Sequence, residues 1–381
     1  MKINTGDFVM PGDFLSVSEQ FLPGDGAYED DGSVKSATAG NVSIDKKAKE
    51  ISVILLEKYF DEKINDSYDM VFTFNYFPII SICCNKYNIK YVSWVYDSPH
   101  VNLFSYTVIN PCNYIFIFDK ELCMEFMNSG ITTVHYLPLA ANPKNIASDS
   151  RYKCDASFVG SLYDEPKHQL FKKFDPVSDY TKGYLDAMIE AQLRVYGYFM
   201  LEELLTKEIV DDLQKAVPYT PNSDGVETDT YVYSNYFIAR RVTEIERKRL
   251  IDYVSNICDF KLFTHSHNPV DYYNDMPKVF ASSKINLNIT LKSIKSGIPL
   301  RAFDIMSANG FLLTNFQLDF MDFFVPGEDF VYYDNLDDAV KKVQYYLTHD
   351  SEREQIATNG FMKIKEYHTF EHRVKEILNT L

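Results

Sequence analysis

The stretch SSKINLNITLKSIKSGIPLRAFDIMSANGFLLTNFQLDFMDFFVPGEDFVYY, Ser282–Tyr333, decides how the chain is read. It runs as strand, glycine-containing loop, helix and strand. The strand Ile285–Ile289 ends near Thr290, the loop carries Gly297, and a helix begins around Pro299, a favoured first-turn residue. In a parallel sheet, ligands bind beyond the carboxyl ends of the strands, and anions favour the free N–H groups of a helix N-terminus. Arg301 falls in the first turn, where a cation is unfavourable to the helix dipole, and a bound anion would offset that cost. Arg301 and the backbone near Gly297 therefore form a candidate diphosphate clamp. Asp304 follows one turn later and can accept hydrogen bonds from two vicinal hydroxyls. The plainer alternative is an i,i+3 surface ion pair between Arg301 and Asp304.

The same alternation extends upstream. DMVFTFN (Asp69–Asn75), YVSWVY (Tyr91–Tyr96), NYIFIFD (Asn113–Asp119) and Thr133–Leu137 read as strands, with helices near Ile79–Tyr87 and Lys120–Asn128. DASFVG (Asp155–Gly160) starts a second such unit. Helix dominates the residues that follow, most clearly over Tyr184–Leu205, before strands resume at Lys261–Thr264. Apolar strands alternating with helices predict parallel sheets covered on both faces. The expected division is a partial Rossmann-like unit over 55–150, a second over 151–360 with a helical insertion at 165–250, and a closing helix over 361–381. Residues 1–54 differ: glycines at 6, 12, 24, 26, 32 and 40 punctuate short apolar pieces, the pattern of a small all-β unit.

Composition bounds the function. The net charge of −16 disfavours non-specific binding to nucleic acid or anionic membranes. Six cysteines occur with no CxxC pair, which predicts free thiols in a reducing compartment and no zinc site. No signal peptide is visible and no apolar run approaches the ~18 residues of a membrane span, so a cytoplasmic location is expected.

Motifs along the chain resemble bacterial GT-B glycosyltransferases related to the CgeB-like spore-maturation proteins. They are YDMVFTFNYFPIIS (Tyr68–Ser81), YVSWVYDSP (Tyr91–Pro99), YLPLAAN (Tyr136–Asn142), DASFVGSLYDE (Asp155–Glu165), MPKVFASSKINLNIT (Met276–Thr290), SGIPLRAFDIM (Ser296–Met306) and HTFEHRV (His368–Val374). The resemblance implies an α/β fold of two Rossmann-like domains facing a cleft. It also implies a nucleotide-diphosphate sugar donor, a UDP-sugar first, and a glycan or protein acceptor. In that group two glutamates eight positions apart contact the donor. Asp304 matches the second and would bind the ribose, whereas the first falls on Ser296, which lacks a carboxylate. Gly160 and Ser161 match the first loop of the nucleotide domain, and Lys284 and Asn288 lie on the strand feeding the site.

On the acceptor side, Asp97 and His100 follow the strand Tyr91–Tyr96, and either can act as the base of an inverting transfer. The bland reading is that Asp97 caps the following turn. His265 and His267 stand two apart after a strand without further ligands at metal spacing. Contact of His265 with base or phosphate is the remaining role. No Asp-x-Asp motif occurs, which fits a metal-independent GT-B enzyme needing no cofactor.

The N-terminal segment resembles something else. MPGD (Met10–Asp13), PGDGAYEDDG (Pro23–Gly32) and AGNVSID (Ala39–Asp45) are similar to the N-terminal β-domain of the archaeal exosome cap subunit. That domain docks on the exosome ring and does not itself read RNA. Five lysines against nine acidic residues over 1–54 also argue against RNA contact. The chain thus reads as a junction of two families near residue 54, with the first strands of the usual N-terminal Rossmann domain missing. Two further readings follow: an exosome-associated binding module, and a catalytically inactive GT-B-like protein.

Overall fold

The computed structural model describes residues 68–144, 146–226 and 228–381. The expected all-β unit over 1–54 lies outside the described residues.

The first sheet is β1 (Met70–Phe74), β2 (Lys90–Val95), β3 (Asn113–Ile117) and β4 (Val134–Tyr136), in that spatial order and all parallel. Period-2 alternation sends Tyr91 and Val95 to one face and Val92 and Trp94 to the other, all buried. The first face is covered by α1 (Pro78–Tyr87) and α2 (Lys120–Asn128), through Cys83, Cys84, Cys123 and Phe126. Among the described residues β1 is the sheet's edge, and Phe72 and Phe74 on it are 37% and 45% exposed.

The second sheet runs β6-β5-β7-β8-β9, again all parallel. Its strands are β5 (Cys154–Val159), β6 (Phe260–Phe263), β7 (Ser283–Asn288), β8 (Leu312–Asn315) and β9 (Val331–Tyr333). Between β5 and β6 come the helices α3 (Asp179–Gln192), α4 (Leu201–Leu204), α5 (Lys207–Ala216), α6 (Asp229–Val232) and α7 (Ala239–Ser255). A π-helical turn, Tyr233–Ile238, joins α6 to α7. Most of this helical segment has a core of its own, including Leu185, Ile189, Leu201, Leu213, Tyr233 and Val242. The remaining helices are α8 (Met276–Ser282), α9 (Leu300–Ser307), α10 (Leu336–Thr348), α11 (Asp350–Tyr367) and α12 (Phe370–Thr380). One face of the second sheet packs on α7, α10 and α11, and the other on α8 and α9.

The two sheets are not separate bodies. One buried cluster runs from Val92, Trp94 and Phe116 of the first sheet through Ile298, Phe303 and Phe280 to Leu312 of the second. The last helix, α12, returns to the first sheet: Phe370 packs edge-on to Trp94 at 6.0 Å, and Arg373 Nε donates to Pro138 O at 2.9 Å.

The stretch Tyr184–Leu205, expected to be the clearest helical part, holds two helices with a break between them. The chain leaves α3 after Gln192 and re-enters a helix only at Leu201. The apolar spacing continues across the break, so periodicity could not show it. Gly197 lies in the break, with a left-handed φ of +74° and an absent Cβ that leaves room for the Phe316 ring.

Two glycine substitutions should therefore move stability in opposite directions. Gly197→Ala places a Cβ 2.6 Å from the Phe316 ring in a left-handed conformation, and should lower the unfolding free energy by about 2 kcal/mol. Gly183→Ala, inside α3 with nothing within 4 Å of the added carbon, should raise it by roughly 0.5–1 kcal/mol. Urea unfolding of both variants measures the pair.

Candidate functional site

The carboxyl ends of β2, β3 and β4 meet those of β7 and β8, and the segment between β7 and α9 lies in the junction. Nearly every residue of that segment is buried, including Lys292, Ser293, Lys295 and Ser296. Backbone groups leaving a sheet need partners once they are buried. Here the opposite sheet supplies several. Lys295 N–H and Ser296 N–H donate to Asp119 at 2.6 and 3.3 Å, and Ser98 Oγ donates to Ser293 O at 2.9 Å. Gly297 packs flat against the first sheet: a Cβ there would lie 3.0 Å from Asp119 Cα and from the Phe118 ring. Glycine at 297 therefore serves close approach between the sheets, and its neighbours already bond to protein.

Asp119 caps α2, accepting from Leu122 N–H at 3.3 Å, and also accepts Ser296 Oγ–H at 3.1 Å. Ser296, where a donor-binding carboxylate is expected, thus takes up a carboxylate from the facing sheet. Asp319, after β8, completes the contact by accepting from Lys120 N–H and Tyr136 O–H, each at 3.1 Å.

Arg301 and Asp304 do come together, with Arg301 Nη1 donating to Asp304 Oδ2 at 3.3 Å. The ion pair has a third member, since Tyr272 O–H donates to the other Asp304 oxygen at 3.1 Å. Burial raises the Asp304 carboxyl above its ordinary range, and Arg301 and Tyr272 hold it partly back. The Arg301 guanidinium also faces Met276 Sδ and stacks over the Phe280 ring. Tyr96, at the end of β2, brings a buried hydroxyl with no partner among the described residues toward Tyr272 and Asp304.

The other predicted residues are placed as follows. Gly160 N–H is taken by Phe263 O at 3.0 Å, so that amide is not available to a phosphate. Ser161 Oγ donates to Glu165 at 2.9 Å and accepts from Tyr163 N–H, closing its own loop. Asn288 is buried and donates to Thr290 Oγ1 and Thr314 Oγ1. Lys284 is on the right strand at the wrong end. It is the second residue of β7, paired with Asp155 at 2.8 Å near the start of β5, because side chains there leave the amino edge of the sheet. His265 is exposed on a turn closed by Thr264 N–H to His267 O, and only the following segment, through Tyr272, reaches Asp304.

Asp97 and His100 both bond to the β1–α1 connection. Asp97 is exposed and accepts from Asn75 Nδ2 at 2.7 Å, while Asn75 Oδ1 accepts the N–H groups of Tyr96 and Asp97. His100 Nε2 lies 3.1 Å from Tyr76 N and 3.0 Å from Tyr76 O. Burial lowers its pKa, leaving a neutral ring whose Nε2 is committed to backbone.

Several residues that matter to the site drew no notice in the sequence. Arg247 on α7 is 8% exposed and bridges two strand ends. Its Nη1 donates to Ser161 O, and its Nε and Nη2 to Ile289 O. Lys292 pairs with the fully buried Glu246 at 2.9 Å, and Tyr196 donates to the same carboxylate at 2.6 Å. Lys295 pairs with Glu125 and Glu202. Burial opposes its charge, but the two carboxylates outweigh that and raise its pKa. Two lysines in a loop with no other charged residue are the available signal, since long cations are buried only when paired. The gap beside them, about 20 Å³, has room for little more than a water. A wider groove of about 710 Å³ lies elsewhere, lined by residues such as Gly327, His349, Glu352 and Asn359, and no predicted site residue reaches it. Among the described residues no group of three or more His, Cys, Asp or Glu side chains is placed to hold a metal, and no helix is long and apolar enough to cross a membrane.

Residues 247–379 match a family described as "Glycosyl transferase-like", and residues 8–45 match the "Exosome complex exonuclease RRP4 N-terminal region". The first match begins at Arg247 and takes in Tyr272, Arg301 and Asp304. No curated protein matches the chain. Among solved structures, the chain is similar to Anabaena HepE in complex with UDP, at 9% identity and a TM-score of 0.46, covering 86% of this chain and 81% of that one. It is also similar to the sucrose-phosphate synthase of Thermosynechococcus elongatus, at 8% identity and 0.49, covering 92% and 80%. A glycosyltransferase from Rickettsia africae gives 9% and 0.46, covering 91% and 82%.

Removing the Arg247 guanidinium strands the buried Ile289 carbonyl and the partly buried Ser161 carbonyl. Arg247→Ala should lower the unfolding free energy by about 3 kcal/mol. Arg247→Lys should recover little of it, because an ammonium cannot reproduce the planar fork that spans both strand ends. Chemical denaturation of the two variants tests this.

Proposed function

We propose that this protein is a glycosyltransferase that moves a sugar from a nucleotide-diphosphate sugar, a UDP-sugar first, to a glycan or protein acceptor. The observation that carries the reading is the Arg301–Asp304–Tyr272 cluster. It stands at the first turns of α9, beyond the carboxyl end of β7, inside the residues that match the glycosyltransferase-like family. Arg301 and the amides opening α9 face the diphosphate, where fixed donors stabilise charge on the leaving group without a metal. Asp304 exchanges its bond from Tyr272 for bonds from the ribose hydroxyls. For an inverting transfer the base is Asp97, which is exposed at the end of β2, whereas His100 is held by Tyr76. A CgeB-like role in surface, spore or flagellar glycosylation, in the cytoplasm, extends the same reading.

A second reading is favoured by the match over residues 8–45: a module that docks on an exosome-like ring through that segment. Co-purification with ring subunits that is lost on deleting 1–54 would support it.

The donor reading predicts that UDP at about a hundredfold its Kd adds about 2.7 kcal/mol to the unfolding free energy. Arg301→Ala should lose this response in a thermal-shift assay, and Asp304→Asn should weaken it. An undiminished response in Arg301→Ala removes Arg301 from the site. Silence across a panel of nucleotide sugars removes the donor reading.

A further inference from the structure

Ser296 stands between two buried carboxylates from distant parts of the chain. Its N–H and its Oγ–H both point at Asp119 Oδ1, its Oγ accepts from Glu121 N–H at 2.9 Å, and its carbonyl accepts from Asp319 N–H at 3.0 Å. Asp119 is 1% exposed and Asp319 is fully buried. Asp119 is well supplied, with four donors on its two oxygens. Asp319 is not: both of its donors fall on Oδ2, and Oδ1 has no partner among the described residues. The neighbouring lysines are engaged elsewhere, Lys120 with Asp322 and Lys295 with Glu125 and Glu202.

We infer that Asp119, Ser296 and Asp319 form a proton-dependent latch that positions the 289–299 segment ahead of α9. The latch stands on this geometry, and only its consequence for nucleotide binding rests on the proposed function. Two buried carboxylates held at one serine, Asp119 on its hydroxyl and amide and Asp319 through the backbone bond to its carbonyl, cannot both be ionised in a dry junction without repulsion. Burial first, and then the Asp119 charge, push the Asp319 carboxyl up to about 6, and burial raises Asp119 as well. A carboxyl raised above its unfolded value of about 4 stabilises the fold fully below that pH, and the stabilisation is lost as pH climbs through about 6. The other groups facing the cluster do not reverse the sign. Glu121 on α2 is raised by burial and by Asp119, so it too adds negative charge with rising pH. Asp322 is matched by Lys120, and Tyr136 on β4 stays neutral, its phenol pushed up by burial and by Asp319. The latch is therefore shut in mild acid and loosened above neutrality. Asp119 and Asp319 are positioning residues, acting on the donor cluster through the segment that leads into α9.

Amide hydrogen exchange of the full chain, corrected for intrinsic rates, tests this at about pH 5 and about pH 7.5. Amides of 291–298 should open at least about tenfold more at the higher pH, and Asp319→Asn should hold them closed at both. Equal protection at both pH values in the unaltered protein overturns the latch, as does a pH dependence that survives Asp319→Asn. Ser296→Ala, which removes only the hydroxyl bonded to Asp119 and Glu121 N–H, should raise exchange at both pH values, and unchanged exchange also overturns it. The link to the donor site is read from UDP-induced stabilisation, which should be larger at the lower pH. A UDP response equal at both pH values breaks the link. No UDP response at either pH, with exchange as expected, retires the donor reading and leaves the latch standing.

Discussion

A carboxylate taken out of water must be met by donors, and Asp119 meets that demand by drawing in the backbone of the opposite sheet. Much else follows from this one group. Lys295 and Ser296 give it their amides, so the segment leaving β7 is held against the first sheet. Gly297 then touches Phe118 and Asp119 closely enough to exclude a side chain. With the segment held there, α9 starts where it does, and Arg301, Asp304 and Tyr272 converge. Seen from the chemistry, the site is organised from across the junction rather than from within the helix that carries it.

This arrangement also explains what the sequence could and could not disclose. Strands such as YVSWVY and NYIFIFD are apolar on both faces and short, and their elements fall within a residue or two of expectation, because a parallel sheet covered on both sides leaves that signature. The ion pair of Arg301 and Asp304 is legible for a local reason too, since an i,i+3 spacing in one helix is a property of sequence alone. Asp119 and Asp319 were not. Each sits some 180 to 200 positions from its partners, and nothing near either residue states that a facing sheet needs a carboxylate there. Lys284 failed differently. Sequence puts it on the strand that leads to the junction but says nothing about which end faces the junction until the direction of the sheet is known.

The helical segment between β5 and β6 has a bearing on the site as well. Its π-helical turn presents Tyr236, whose hydroxyl donates to Pro99 O and accepts from Val101 N–H, while Tyr231 accepts from His100 N–H. A π turn shifts side chains around the helix axis relative to a regular one, and such turns recur where a helix must place groups it could not otherwise reach. Here it sets two tyrosines over the loop after β2. The segment is thereby a third wall of the junction, with its own core to stiffen it.

The return of α12 to the first sheet has a consequence for the order in which the chain is made. Trp94, Val92 and Phe116 emerge from the ribosome long before Phe370, Arg373 and Ile377, yet these share one buried cluster or bond to its edge. Until synthesis has passed α12, that face of the first sheet lacks the contacts of Phe370 and Ile377, and the Pro138 carbonyl lacks its guanidinium. Domains of many proteins can fold one after another as they are translated. Among the described residues, that aromatic-rich face gains part of its cover only when α12 has been made, far along the chain from the strands it packs on.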